Sequence, residues 1–108
     1  MSDKVLEITE ENFESLVLKA GMPAVLDFHA DWCTFCKVME PVFEQAAAEY
    51  DGKIRFGSVD VDEQKRFAIS NRIVSIPALL LYKDGVLRDR VAGALNAAQL
   101  KAKLDALL

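Results

Sequence analysis

The stretch that decides the fold is "DWCTFCKVMEP" at residues 31–41, which directly follows the apolar run "AVLDFHA" at 24–30. Both cysteines of the chain lie in this stretch, at Cys33 and Cys36. The apolar run is typical of a central strand that is buried on both faces. From Cys36 as far as Tyr50, apolar residues recur at helical spacing and predict a long helix. The cysteines are therefore predicted to lie in the turn from a buried strand into a helix.

The rest of the chain also divides into strands and helices. Short apolar runs predict four further strands, at 4–8, 53–62, 76–82 and 86–91. Further helices are predicted after an N-cap at Thr9, around 63–70, and after a capping box of Asn96 and Gln99. Asp84 and Gly85 separate the last two strands and indicate a hairpin.

Two single residues, Gly57 and Pro41, predict local distortions of their elements. Gly57 indicates an irregularity in its strand. Pro41 should kink the long helix, because it removes one backbone N–H. The predicted order is β-α-β-α-β-α-β-β-α, which implies an α/β fold with helices on both faces of a parallel sheet and an antiparallel hairpin at one side.

Length and charge narrow the possible functions. The 108 residues suit a single domain spanning 1–108. There are 13 Lys and Arg residues against 17 Asp and Glu, a net charge of −4, which argues against nucleic acid or an anionic membrane as a partner. The first residues lack the apolar stretch of a secretory signal, and the longest apolar run, "IPALLLY", is too short to span a membrane. We expect a cytoplasmic monomer.

Two cysteines separated by two residues allow three interpretations. A zinc site would need two more ligands, and His29 is the single histidine of the chain, so a closed tetrahedral site is disfavoured. A metal cluster would need four thiolates from two chains. Two inert buried thiols are a second alternative. In a reducing compartment, a close pair is more often a redox centre, which is the third interpretation.

The predicted position of the pair suits redox chemistry. Cys33 lies at the start of the helix, where unpaired N–H groups and the helix dipole stabilise a thiolate. Cys36 begins the apolar stripe, where burial raises the pKa of a thiol. Cys33 is therefore the better nucleophile, and Cys36 can resolve a mixed disulfide formed on Cys33.

Four stretches together resemble the thioredoxin family: "LDFHADWCTFCKVMEP" at 26–41, "VDVD" at 59–62, "VSIPALLLYKDG" at 74–85 and "VAGA" at 91–94. The resemblance implies a thioredoxin fold, a central mixed five-stranded sheet flanked by four helices. It also implies a protein-disulfide oxidoreductase with no cofactor beyond its own cysteine pair and no metal. Cys33 would attack a substrate disulfide and Cys36 would resolve it. The implied partners are disulfide-containing proteins.

The resemblance assigns further roles. Asp27 matches a buried acid that moves the proton of the resolving cysteine, and burial alone should raise its pKa, although a structural hydrogen-bonding role is the alternative. Pro77 matches a cis-proline that leaves the backbone of Ile76 free to pair with an extended substrate, and Gly93 matches a docking glycine. The substrate-binding surface implied in this way comprises Trp32, Thr34, Phe35, Val74, Ile76, Pro77, Ala92 and Gly93.

Three departures from the family pattern surround the cysteines. Thr34 and Phe35 replace the usual Gly-Pro, His29 replaces a Trp, and Ser58 replaces a Lys that often faces the buried acid. The Phe35 N–H, which a proline would lack, is expected to point at Cys33 and favour the reduced form. His29 is the candidate for tuning the pKa of Cys33.

These departures leave the redox direction open. A disulfide oxidase or isomerase, or a partner-binding module without turnover, are the alternatives to a reductant. The chain has no glycine-rich nucleotide fingerprint, so its electrons must come from a reductase or a small thiol.

Overall fold

The sheet is built around the apolar strand that precedes the cysteines. The computed structural model describes residues 3–108. Five strands form one sheet in the order β1-β3-β2-β4-β5. β1 and β2 run parallel to β3, whereas β4 is antiparallel to both β2 and β5. The strands are β1 Val5–Glu7, β2 Ala24–His29, β3 Arg55–Asp60, β4 Ala78–Lys83 and β5 Val86–Ala92.

Within residues 3–108, one helix follows each of β1, β2, β3 and β5, in the predicted order. The first, Glu14–Leu18, is a short π-helix, and the others are α1 Thr34–Glu49, α2 Lys65–Ser70 and α3 Ala97–Asp105. The mixed five-stranded sheet with four flanking helices confirms the predicted fold class.

The first helix begins later than its predicted cap. Thr9 N donates to Asn12 Oδ1 at 2.8 Å, and Asn12 N donates back to Thr9 Oγ1 at 3.2 Å. Phe13 N also donates to Thr9 O at 3.0 Å, so Thr9 caps the helical turn as predicted, and the π-helix itself starts only at Glu14. The predicted capping box of α3 is confirmed, with Asn96 and Gln99 each bonding the other's backbone N–H.

Alternate side chains of the sheet enter two separate cores, one on each face. On one face, α1 and α3 pack on the sheet through residues that include Phe43, Leu100 and Leu104. On the other, the π-helix and α2 contribute Val17 and Phe67. Because helices cover both faces of the sheet, the side chains of the central strand β2 are buried on both sides, as the continuous apolar run predicts.

The irregularity predicted at Gly57 was wrong. Gly57 pairs in regular register with Leu6 and Leu26, and a Cβ atom there would lie 2.5 Å from Ile8 Cγ1. Close packing of side chains across the sheet therefore explains the glycine. A register shift lies instead between Leu81 and Tyr82, on β4 opposite β5.

Two other local predictions concern a turn and a proline. Asp84 and Gly85 both have positive φ, at 56° and 75°, as a tight two-residue hairpin requires. Helix α1 continues through Pro41 to Glu49. The kink expected there stays a prediction.

Candidate active site

The cysteine pair lies where β2 ends and α1 begins. Cys33 is the N-cap residue of α1, and its backbone N–H donates to Ala30 O at 3.2 Å. Cys36 is in the first turn of the helix, with its Cα 5.2 Å from that of Cys33. The two Sγ atoms are joined in a disulfide. The strand-to-helix position predicted for the pair is therefore observed.

Cys33 Sγ accepts a hydrogen bond from the backbone N–H of Cys36, the residue to which it is joined in the disulfide. Cys36 N donates to Cys33 Sγ at 3.2 Å, and Ile76 O lies 3.8 Å from the same sulfur. The Phe35 N–H was expected to favour the reduced form of Cys33, and that expectation stays a prediction, because the structure shows the disulfide. The side chain of the N-cap residue accepts from the third helical residue, as capping side chains commonly do, and here that residue is Cys36.

The two cysteines are equally buried in this disulfide form, at 6% and 5% exposed. Burial therefore does not distinguish them, but their surroundings do. Cys33 faces the loop that contains Ile76, whereas Cys36 borders a cavity on the α1 side of the sheet.

A loop before β4 packs against the disulfide. The Ile76–Pro77 peptide bond is cis, in agreement with the resemblance. Gly93 N donates to Pro77 O at 2.8 Å, and Gly93 has a φ of 97°, which favours glycine. These contacts bring the ends of three segments, the turn with Cys33, the loop with Ile76 and the end of β5, to one edge of the sheet.

Exposed apolar side chains surround this edge. Trp32 is 69% exposed, Phe35 67% and Val74 96%, and we call these three residues the apolar rim. The remaining members of the expected surface differ in exposure: Thr34 and Ala92 are exposed, Ile76 and Gly93 are partly exposed, and Pro77 is buried. Exposed apolar groups of this size commonly mark a partner site.

Asp62 orients the tryptophan of the rim. Trp32 Nε1 donates to Asp62 Oδ2 at 2.9 Å. The sequence analysis quoted Asp62 as part of "VDVD" but gave it no role. An acid after a strand that runs parallel to β2 was the available signal, since parallel strands end at the same edge of a sheet.

Asp27 lies beneath the disulfide in a cavity of about 370 Å³. It pairs with Ser58 on one side and Leu79 on the other, and it is buried. Neither Asp27 Oδ1 nor Ser58 Oγ has a hydrogen-bond partner among the described residues. Burial, reinforced by the nearby charge of Glu40, raises the pKa of Asp27 to about 7. The acid is buried as expected, and the direction of its pKa shift agrees with the expectation, while its role in moving the proton of Cys36 stays a prediction.

His29 lines the same cavity as Asp27 and Cys36. The side chains of Asp27 and His29 point to the same face of β2, as their spacing of two residues requires. The sequence analysis expected the imidazole to act on Cys33. The structure places it along the cavity that Cys36 borders, so a role in tuning Cys33 stays a prediction.

Metal-binding clusters and membrane-spanning helices would indicate other classes of function. Within residues 3–108, no group of three or more His, Cys, Asp or Glu side chains is arranged to hold a metal ion. In the same part of the chain, none of the helices has the length and apolar character needed to cross a membrane.

The likeness to known proteins extends over nearly the whole chain. The thioredoxin family profile matches residues 4–106. Thioredoxin from Acidithiobacillus ferridurans is 41% identical over 108 residues, which cover 100% of both chains. Thioredoxin from Pseudomonas aeruginosa is 38% identical over 106 residues, 98% of each chain. Thioredoxin C-2 from Corynebacterium nephridii is 40% identical over 105 residues, 97% of each chain.

Proposed function

The chain belongs to the thioredoxin family and is a thiol-disulfide oxidoreductase, and we propose that it reduces disulfides of other proteins, with Cys33 as nucleophile and Cys36 as resolving thiol. The observation that carries this proposal is the asymmetry around the pair. Cys33 accepts an N–H from the first turn of α1 and lies next to the substrate-facing loop, whereas Cys36 borders the cavity of Asp27. The N-terminus of the 16-residue helix α1 favours negative charge on Cys33.

The proposed reaction proceeds in two exchanges. The Cys33 thiolate attacks one sulfur of a substrate disulfide, which forms a mixed disulfide and releases one substrate thiolate that takes a proton from solvent. Cys36 then transfers its proton to the Asp27 carboxylate and attacks Cys33 Sγ. This second exchange breaks the mixed disulfide, forms the Cys33–Cys36 bond and releases the second substrate sulfur as a thiolate that takes a proton from solvent. Two electrons pass from the protein to the substrate.

A reductase or a small thiol would return the protein to its dithiol form by the reverse exchange. An external thiolate attacks Cys33, and Cys36 leaves as a thiolate that Asp27 can protonate. A second external thiolate then attacks the external sulfur bonded to Cys33, which forms the external disulfide and releases the Cys33 thiolate. The cycle uses no cofactor beyond the cysteine pair. A reductant of this kind works in a compartment that keeps thiols reduced, which supports a cytoplasmic location. We propose that the protein acts as a monomer of one domain, 1–108.

Substrate proteins would bind at the edge of the sheet that carries the disulfide. The apolar rim provides buried area on association, and the backbone of Ile76 can pair with an extended substrate segment. Thr34, Ala92 and Gly93 complete this surface, and buried Pro77 positions the Ile76 backbone rather than contacting substrate through its ring. His29 remains a candidate for tuning the cysteines.

Single cysteine variants test the division of labour. Cys36→Ser should accumulate mixed disulfides with substrate proteins, because Cys33 still attacks but nothing resolves the adduct. Cys33→Ser should form no adduct, and both variants should lose insulin reduction with dithiothreitol. Adducts are read by mass spectrometry after the thiols are blocked.

Comparison of the two cysteine variants with wild type separates the proposed roles from reversed roles and from a binding module without turnover. Adducts that form through Cys33→Ser would show that the roles are reversed. A wild-type protein that binds substrates but reduces no insulin would instead be a binding module.

A further inference from the structure

A second carboxyl group, that of Glu40, borders the cavity that contains Asp27. Glu40 lies four residues after Cys36 in α1, so the two side chains point to the same face of the helix. Asp27 is buried, whereas Glu40 is exposed to solvent. The cavity therefore connects the resolving cysteine and its buried acid to a carboxylate at the surface. Its volume of about 370 Å³ gives room for several water molecules between them.

The charged groups around Asp27 are predominantly acidic. The ionisable residues lining the cavity, besides Asp27 and Cys36, are His29 from β2, Asp31 from the turn that follows, and Lys37, Glu40 and Glu44 from α1. The strands beside β2 place Ser58 and Leu79 opposite Asp27, and neither residue is ionisable. Among these groups, Glu40 supplies the charge that raises the pKa of Asp27 further after burial.

We propose that Glu40 is a positioning residue for proton transfer, and that its carboxylate sets the pH at which Asp27 exchanges a proton with Cys36. The proposal rests on the proposed function, since it assumes that Asp27 serves the resolving cysteine. Ser58 carries no positive charge beside the buried acid, so the negative charge of Glu40 is not offset from that side when Asp27 ionises.

The negative charge of Glu40 has opposite effects on the two directions of the cycle. Like charges disfavour ionisation, so Glu40 keeps Asp27 protonated to higher pH. Substrate reduction needs the Asp27 carboxylate as the acceptor of the Cys36 proton. Re-reduction of the disulfide needs protonated Asp27 as the donor to the leaving Cys36 thiolate. Glu40 therefore hinders substrate reduction at low pH and assists re-reduction of the disulfide at high pH.

The first test measures Asp27 directly in the oxidised protein. The carboxyl 13C chemical shift of Asp27 is followed against pH in wild type, Glu40→Gln and Glu49→Gln. Glu49 is on the same helix and exposed, but it does not line this cavity, so its variant removes an equal charge elsewhere. Glu40→Gln should lower the pKa of Asp27 by about half a unit, and Glu49→Gln should leave it unchanged. Equal titrations in all three proteins would overturn the proposal.

The second test compares single-turnover rates in the two directions. At pH 6, Glu40→Gln should oxidise about two-fold faster than wild type with a small disulfide. At pH 8, its disulfide should be reduced about two-fold more slowly by dithiothreitol. A merely structural effect of the substitution would change both rates in the same direction. The fluorescence of Trp32 beside the disulfide reports each reaction.

An Asp27→Asn background completes the cycle of variants. In that background Glu40→Gln should change neither rate, because the group through which Glu40 acts is gone. An effect that persists would overturn the proposal and assign Glu40 a direct action on the cysteines. If wild type reduces no disulfide at any pH, the proposed function fails, while the Asp27 titration still reads the coupling of the two carboxyls. A lowered pKa without any change in rates would overturn the role in proton transfer.

Discussion

At Asp27 the demands of chemistry and of stability conflict. The carboxyl group lies in the centre of the sheet, and Asp27 Oδ1 has no hydrogen-bond partner among the described residues. Burying an ionised carboxylate without a partner is unfavourable, so the folded state holds the proton more tightly than the unfolded chain does. An acid that titrates near pH 7 can both accept and donate a proton under the conditions in which the reaction runs.

The stability of the protein should therefore depend on the ionisation of Asp27. Because burial raises its pKa from 3.8 to about 7, the contribution of Asp27 to stability is most favourable below about pH 4 and is lost as the pH rises to about 7. Asp27→Asn cannot ionise, so it should be more stable than wild type at pH 8, by at most about 4 kcal/mol, and close to wild type at pH 4.

Urea unfolding of the oxidised proteins at pH 4, 6 and 8 measures this difference. The gain in the free energy of unfolding should grow between pH 4 and pH 8. A loss of stability at pH 8, or the same difference at every pH, would mean that Asp27 is a structural hydrogen-bonding group instead.

At the scale of one element, the end of α2 contains a residue in an unfavourable conformation. Arg72 has a φ of 58°. Its N–H donates to Ile69 O at 2.9 Å, and the N–H of Ile73 donates to Ala68 O at 3.0 Å. This pair of bonds is the Schellman pattern that ends a helix, and the position that Arg72 occupies usually contains glycine. The turn leads directly into the loop that packs on the disulfide.

Arg72→Gly should stabilise the protein by about 1 kcal/mol, because glycine adopts a positive φ without the steric penalty of a Cβ atom. Arg72→Ala is the matched control, since it removes the same side chain but keeps the Cβ. The free energies of unfolding of the two variants are compared in urea. Equal stabilities would show that the conformation of Arg72 carries no strain.

At the scale of the whole molecule, the substrate surface is assembled from distant segments. The turn after β2 supplies Trp32, the first turn of α1 supplies Phe35, and the loop before β4 supplies Val74. The pairing of Ala78 with Ala92 brings the end of β5 to the same edge. Residues at the other end of β5, such as Val86, are exposed as well but lie at the hairpin, far along the sheet.

Shortening the apolar rim should weaken the binding of protein substrates without affecting the chemistry. Phe35→Ala and Val74→Ala should raise KM for insulin, by about ten-fold for Phe35→Ala. An aromatic ring that becomes buried on binding contributes about 1.5–3 kcal/mol, and part of this is offset by the entropy that the side chain loses when it is ordered. The rate with a small disulfide should not change. Val86→Ala should alter neither quantity, and equal effects of Val74→Ala and Val86→Ala would contradict a docking role for the rim.

Several features of the molecule could be predicted from short patterns in the sequence. The order of strands and helices follows from apolar periodicity, the α3 cap from Asn96 and Gln99, and the hairpin from Asp84 and Gly85. The position of the cysteines follows from the apolar run that directly precedes them. Each of these features depends on groups within a few residues of one another, so local propensity and burial are enough to specify it.

Other features depend on which distant residues meet, and only the tertiary structure decided them. The packing of Ile8 against Gly57 depends on neighbours across the sheet.

The cavity shared by Asp27, Glu40 and Ser58 joins a strand, a helix and a second strand that are separated along the chain. A charge acts on another through the distance and the medium between them, and neither can be read from spacing in the sequence. The sequence by itself therefore determined the elements and the reactive pair. The packing of those elements decided the surroundings that set the proton chemistry of the pair.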